Sequence, residues 1–198
     1  AVRGRRLVTA SYSIMAWKGQ GIRMEILIII FLVMVLLTIW IISTQRKLTI
    51  MDENVSNAMS QIGIQLSSRV DALTALLDLI RDYGDQEIQI LYDRLRLSHF
   101  TFTAQSTPEE IRGQERMIAE VLELVSSVTE SYPDLKEEES YRKRISALDS
   151  YEKMLRTSFL IYNDSVTKLN RAIRTFPTNL IAGMLGFRQR EHLEAMEE

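Results

Sequence analysis

The chain has 198 residues, 46% of them hydrophobic and 25% charged, with a formal net charge of −2 and no cysteine. Without cysteine there are no disulfides, no lipobox anchor, no thiol chemistry and no Cys-ligated metal, and the length suits a short anchor plus one domain of about 150 residues. Residues 1–23 carry five Lys or Arg and no acid, while residues 45–198 carry 19 Lys or Arg against 25 Asp or Glu, a mildly acidic balance that argues against a nucleic-acid partner.

Residues 1–23 show no helical periodicity and read as an upstream extension or a disordered basic segment. From Ile26 to Ile42 there are 17 residues without a charge, and 14 of them are Leu, Ile, Val or Phe. Those side chains favour insertion into a bilayer by about 4–8 kcal/mol, and no central charge opposes them. With Ser43 and Thr44 the uncharged stretch reaches 19 residues, about 28 Å of helix, which matches a hydrocarbon core of ~30 Å. Residues 24–44 are therefore expected to form a single transmembrane helix that meets the lipid bilayer through Ile26 to Ile42, with Trp40 near one interface and Arg46 and Lys47 just beyond it. A cleaved signal peptide is the competing reading, but the run exceeds the usual apolar region and no small-residue cleavage pattern follows. Arg5-Arg6 stands too far upstream to act as a twin-arginine signal.

Orientation depends on where translation starts. With residues 1–23 present, their positive charge places the following domain outside the cytoplasm; with a start at Met24, Arg46 and Lys47 draw it inside. The expected location is the cytoplasmic membrane, with the side of the domain left open.

Glycine is scarce beyond the anchor, and prolines occur singly at Pro108, Pro133 and Pro177, so long helices follow. Val55, Met59, Ile62, Leu66, Val70, Leu73, Leu77 and Ile80, then Ile88, Leu91 and Leu95, recur in helical steps and lie on one face. They predict a first helix from about Asp52 to Phe100 with a bend at Gly84, since glycine costs a helix about 1 kcal/mol. Thr107, Pro108 and Glu110 form a capping-box start for a second helix. Its stripe is Ile111, Ile118, Val121, Leu122, Val125 and Val128, and Tyr132-Pro133 ends it because a residue before proline avoids the α region. A third helix is expected from Leu135 to Thr175, with Tyr141, Ile145, Leu148, Leu155, Phe159, Tyr162, Val166, Leu169 and Ile173 on one face. Asn179 to Leu185 adds a short helix stopped by Gly186, and the tail from Arg188 onward is expected to fray. The predicted fold is all-α: an N-terminal transmembrane helix, then a long antiparallel three-helix (up-down-up) bundle with a short C-terminal helical segment. The bundle covers residues 45–190 and a charged tail residues 191–198.

Several motifs resemble one family. They are Asn57-Ala58-Met59-Ser60-Gln61-Ile62, Gln65-Leu66 with Arg69 and Asp71, Tyr132-Pro133-Asp134-Leu135-Lys136, Tyr162-Asn163-Asp164, and Phe176-Pro177-Thr178-Asn179-Leu180-Ile181-Ala182-Gly183 with Gly186-Phe187. In order and spacing they resemble the LemA family of bacterial membrane proteins over residues 24–190. The resemblance implies a single-pass membrane protein with a coiled-coil-like helical bundle; no biochemical activity is firmly assigned to the family as a whole, and one branch is linked to magnetosome membrane formation. Met59 stands where the family commonly has Trp, residues 72–75 lack its usual proline, and Lys153 and Phe159 replace a typical Asn and Arg.

Catalytic, cofactor and metal sites are not expected. Neither His99 nor His192 has a Glu three residues before it, so the paired Glu-x-x-His pattern of di-iron bundles is missing, and Glu137-Glu138-Glu139 reads as an acidic helix start favoured by the dipole. Tyr162-Asn163 reads as a buried hydrogen-bonded pair. The apolar segment near the C-terminus offers Leu180, Ile181, Met184, Leu185 and Phe187 as partner or membrane contacts, against the plainer reading that it packs under the bundle end. Three functions compete: a scaffold that contacts other membrane or envelope proteins and is compatible with homo-oligomers, a ligand-binding sensor that signals through its membrane helix, and a hydrolase, for which a nucleophile, base and orienter are missing.

Overall fold

A computed structural model describes residues 24–81, 86–97 and 102–193, and residues 3–23 in their backbone alone. Six helices occur among them: α1 Arg3–Ile80, α2 Gln86–Leu97, α3 Pro108–Ser131, α4 Asp134–Glu137, α5 Glu139–Arg174 and α6 Thr178–Leu185. The chain is all-α, as its periodicity requires. It divides into two compact units, residues 1–47 and residues 48–198.

In the first unit the helix already begins at Arg3, so the stretch expected to be irregular is helical. Adding residues to an existing helix costs far less than nucleating one, and no proline interrupts this stretch. The helix is long and apolar enough near its N-terminus to cross a membrane. Its residues 24–43 are exposed.

In the second unit, α1 buries Leu48, Val55, Met59, Ile62, Leu66, Val70, Leu73, Leu77 and Ile80. These steps of three, four and seven keep one face inward for the whole length. The single helix expected over residues 52–100 is two, because α1 stops at Ile80 and α2 resumes at Gln86; Gly84, the expected bend, lies outside the described residues. By Phe102 the chain is back beside Gly63, 17 residues before Ile80, or about 25 Å at 1.5 Å per residue. Folding back lets α2 bury Ile88, Tyr92 and Leu95, which a straight helix would have left in water.

Thr107 starts α3 as the sequence requires. Its hydroxyl accepts from the Glu110 amide at 3.3 Å, and the Glu110 carboxylate accepts from the Thr107 amide at 2.9 Å. Buried Ile111, Ile118, Val121 and Val125 form the α3 stripe; Gln114 and Thr129 are buried with them, while Leu122 and Val128 are only partly covered. The expected third helix is split by the extended Glu138 into the single turn α4 and the long α5. Side-chain bonds fix the direction of α5 against α1: Arg69 meets Glu152, whereas Asp52 meets Arg190, whose backbone is held by Asn170. Moving up α1 from 52 to 69 therefore means moving down α5 from 170 to 152. With α2 returning, the bundle reads up, down, up, down through α1, α2, α3 and α5. The fold-back adds one arm to the three expected.

Phe159 is buried in the core, and Lys153 is exposed and paired with Asp149 at 2.6 Å.

Candidate interaction site: a C-terminal strap held by two asparagines

α6 ends at Leu185 because Gly186 takes a left-handed φ of 77°, the conformation only glycine adopts without strain. The amide of Phe187 donates to the Ala182 carbonyl at 3.0 Å and that of Gly186 to Gly183 at 3.4 Å, a Schellman closure that turns the chain back. The residues after it do not fray. Up to Leu193 they run as an extended strap along α5.

Two asparagines of α5 hold the strap by its backbone. The Asn170 side chain donates from Nδ2 to the Arg190 carbonyl and accepts the Arg190 amide on Oδ1, both at 2.8 Å. Asn163 does the same to Leu193, donating at 2.6 Å and accepting at 2.8 Å. Each side-chain amide thus pairs with one residue as a neighbouring β-strand would. The spacing explains why both grips close at once. Seven helical residues span about 10.5 Å, and three extended residues span about 10 Å.

Side chains add a pattern to this backbone grip. The Arg190 guanidinium reaches Asp52 of α1 at 2.9 Å, Glu191 accepts from Arg112 of α3 at 3.4 Å, and His192 Nε2 meets the Thr167 hydroxyl at 2.9 Å. Leu193 is buried, 2% exposed. Tyr162 donates to the Glu191 carbonyl at 3.0 Å; burial raises its pKa, with nearby Arg190 opposing, so the hydroxyl keeps the proton that it donates. The cradle therefore accepts a basic residue, an acidic one, a spacer and an apolar one in that order. Beside the turn, an open groove of about 540 Å³ is bordered by Asp52 and residues 185–190.

A second polar cluster reaches from the surface at Arg156 to the buried Arg69. Arg69, 9% exposed, donates to Glu152 at 3.0 Å, and Glu152 also accepts from Arg156 at 2.9 Å. Glu115 of α3 faces this cluster. Its pKa is raised, chiefly by burial and also by Glu152, while Arg69 and Arg156 pull it down. Arg69 Nε, Glu115 Oε2 and both amide atoms of Gln114 are buried without a hydrogen-bond partner among the described residues. On the outer side of α1 and α5, Ser68, Asp71, Lys143, Arg144 and Tyr151 border an open groove of about 480 Å³.

The residues singled out in sequence are placed unevenly. Leu180, Met184 and Leu185 are 59%, 87% and 45% exposed, but Ile181 is 5% exposed and Phe187 packs against the core. The apolar segment is thus shared between packing under the bundle and an outward face. Tyr162 and Asn163 are hydrogen-bonded, and their partner is the strap backbone. Glu139 pairs with Lys143 at 2.7 Å, and His99 lies outside the described residues. Sequence reasoning missed Asn170. A second asparagine seven residues after Asn163, on the flank of an apolar helical stripe, was the available signal, since asparagine is disfavoured inside helices unless its side chain has work elsewhere.

No curated protein matches this chain. The model of the LemA family matches residues 58–198, from the bundle part of α1 through both asparagines and the strap, and the chain belongs to that family.

Proposed function

We propose that this protein is a membrane-anchored helical-bundle scaffold of the bacterial cell envelope, an interaction protein without catalytic activity of its own. One contrast along α1 carries the reading. Residues 26–42 present apolar side chains outward all round, from Trp40 at 38% exposed to Phe31 at 67%, whereas from Leu48 onward the apolar residues turn inward. Water does not tolerate that much contiguous apolar surface, and a hydrocarbon layer of ~30 Å does. The polar side chains assembled by the bundle mostly clasp one chain segment to another, which favours an interaction role over chemistry.

The test is fractionation of cells that express the native gene. The full chain stays with the membranes through an alkaline wash, and Val33→Arg combined with Leu37→Arg releases it, because two central arginines add roughly 5–7 kcal/mol to insertion. Photocrosslinkers at Leu180 and Met184 then form adducts with other membrane proteins. A chain washed off intact, or one that forms no adducts, overturns the proposal.

The sensor reading draws support from the unpartnered polar atoms of Arg69, Gln114 and Glu115, which a small polar ligand could satisfy. A melting transition that rises with one small molecule, and no longer does so in Gln114→Leu, would favour it.

A further inference from the structure

We propose that the Asn163/Asn170 cradle is an interface between copies of this chain, in which the strap of one copy seats on α5 of another. The proposal goes beyond the scaffold reading, because exchange needs neither a bilayer nor a different protein.

The cradle grips backbone at two points and adds a socket for a basic residue at Asp52, one for an acidic residue at Arg112 and a buried site for leucine. The peptide known to satisfy all of these is the segment 190–193, and every second copy carries it. The strap leaves the bundle through one turn at Gly186, the only positive φ among the described residues. Arg188 and Gln189, which link that turn to the first clamp, are exposed, and the groove of about 540 Å³ beside them is unfilled by the linker. Released at the turn, the strap gives up the burial of Leu193 and its two asparagine grips, and these are the contacts that a second copy can restore. Exchange then re-forms every bond between chains that the closed form makes within one, which is why swapping an identical element is a low-cost route to a dimer.

The turn also sets the balance. A side chain at residue 186 disfavours the left-handed conformation of the closed form and shifts the equilibrium toward the exchanged one.

Because the chain has no cysteine, the test can use single-cysteine variants of the full chain, purified in detergent. Tagged Thr167→Cys is mixed with untagged His192→Cys, incubated just below the melting transition, and joined with a short bis-maleimide. These positions touch in the closed strap. Tagged Lys143→Cys replaces Thr167→Cys as the collision control, 24 residues and about 36 Å away along α5. Exchange gives a mixed product about tenfold above the control. Adding Gly186→Val to both chains raises it severalfold, and Asn163→Leu with Asn170→Leu returns it to the control level. A mixed product no greater than the control overturns the proposal: if Thr167→Cys/His192→Cys in one chain closes on itself, the strap is an internal clasp only, and if it does not, the strap is not seated at all.

Discussion

Gly63 of α1 faces Phe102 so closely that there is no room for a methyl group: a Cβ at residue 63 would stand 2.5 Å from the Phe102 Cβ and 3.4 Å from its carbonyl carbon and oxygen. A Cβ is fixed to its backbone, so Phe102 cannot rotate out of the way. Gly63→Ala should lower stability by up to about 2 kcal/mol, because overpacking of about 1–3 kcal/mol outweighs the helix-propensity gain of about 1 kcal/mol. Gly113 of α3 has nothing within 4 Å of the same position, so Gly113→Ala should instead stabilise by about 0.5–1 kcal/mol. Urea unfolding of the two variants checks both signs. If Gly63→Ala is the more stable of the pair, the return of the chain beside α1 is wrong.

The two asparagine grips should be strongly non-additive. Removing either one, as Asn163→Leu or Asn170→Leu, strips two hydrogen bonds from the strap and costs about 1–3 kcal/mol. Once the strap is loose, the second substitution has little left to remove. Hydrogen exchange at the Arg190 and Leu193 amides is the direct measurement, since each donates to an asparagine oxygen. Loss of one grip should speed exchange at both amides, and a purely local effect would show that the strap does not act as one unit.

The legible parts of this fold were those encoded by local rules. The stripes of α1, α3 and α5, the Thr107–Glu110 cap, the stop at Tyr132-Pro133 and the end of the short helix at Gly186 each depend on residues within a turn or two of one another. The fold-back after Ile80 does not: a helical pattern continues through it, and the turn is selected by what α2 buries against other helices. The strap was hidden for a related reason. Its residues are mostly charged and lack periodicity, so they look like a solvated tail, and the side chains that hold its backbone stand 20 and 30 residues earlier in the chain. Half of that site was visible in Tyr162-Asn163. What could not be read was which backbone Asn163 would pair with.

Glu115 should make stability depend on pH in an unusual direction for a carboxylate. Its pKa is raised in the folded chain, with burial as the main cause, so between the ordinary value of 4.5 and the folded value the native state binds more protons than the unfolded one. Its contribution therefore worsens as pH rises through that window and is fully unfavourable above it. Glu115→Gln mimics the protonated form. It should be more stable than the parent at pH 7, with the difference shrinking toward zero near pH 4. Comparing the two proteins cancels the titration of the other carboxylates. A difference that does not change with pH would mean that Glu115 is not the group titrating.

Arg69 is the cation that holds this cluster together, and replacing it should expose the balance. Arg69→Met keeps the buried stem and removes the charge, leaving Glu152 to Arg156 and depriving Glu115 of one of the two cations that lower its pKa. Glu152 is one-third exposed, so water recovers part of the loss; the expected cost at pH 7 is about 1–3 kcal/mol, below the 3–5 typical of breaking a fully buried pair. With Glu115 protonated, less negative charge is left uncompensated, so the same substitution should cost less at low pH, and likewise less at pH 7 in the Glu115→Gln background. A thermodynamic cycle of Arg69→Met with Glu115→Gln, measured at pH 4.5 and 7, reads this coupling directly. Coupling that is large at pH 7 and small at pH 4.5 is the expected result. Equal coupling at the two values would show that Arg69 acts through packing of its stem and not through charge.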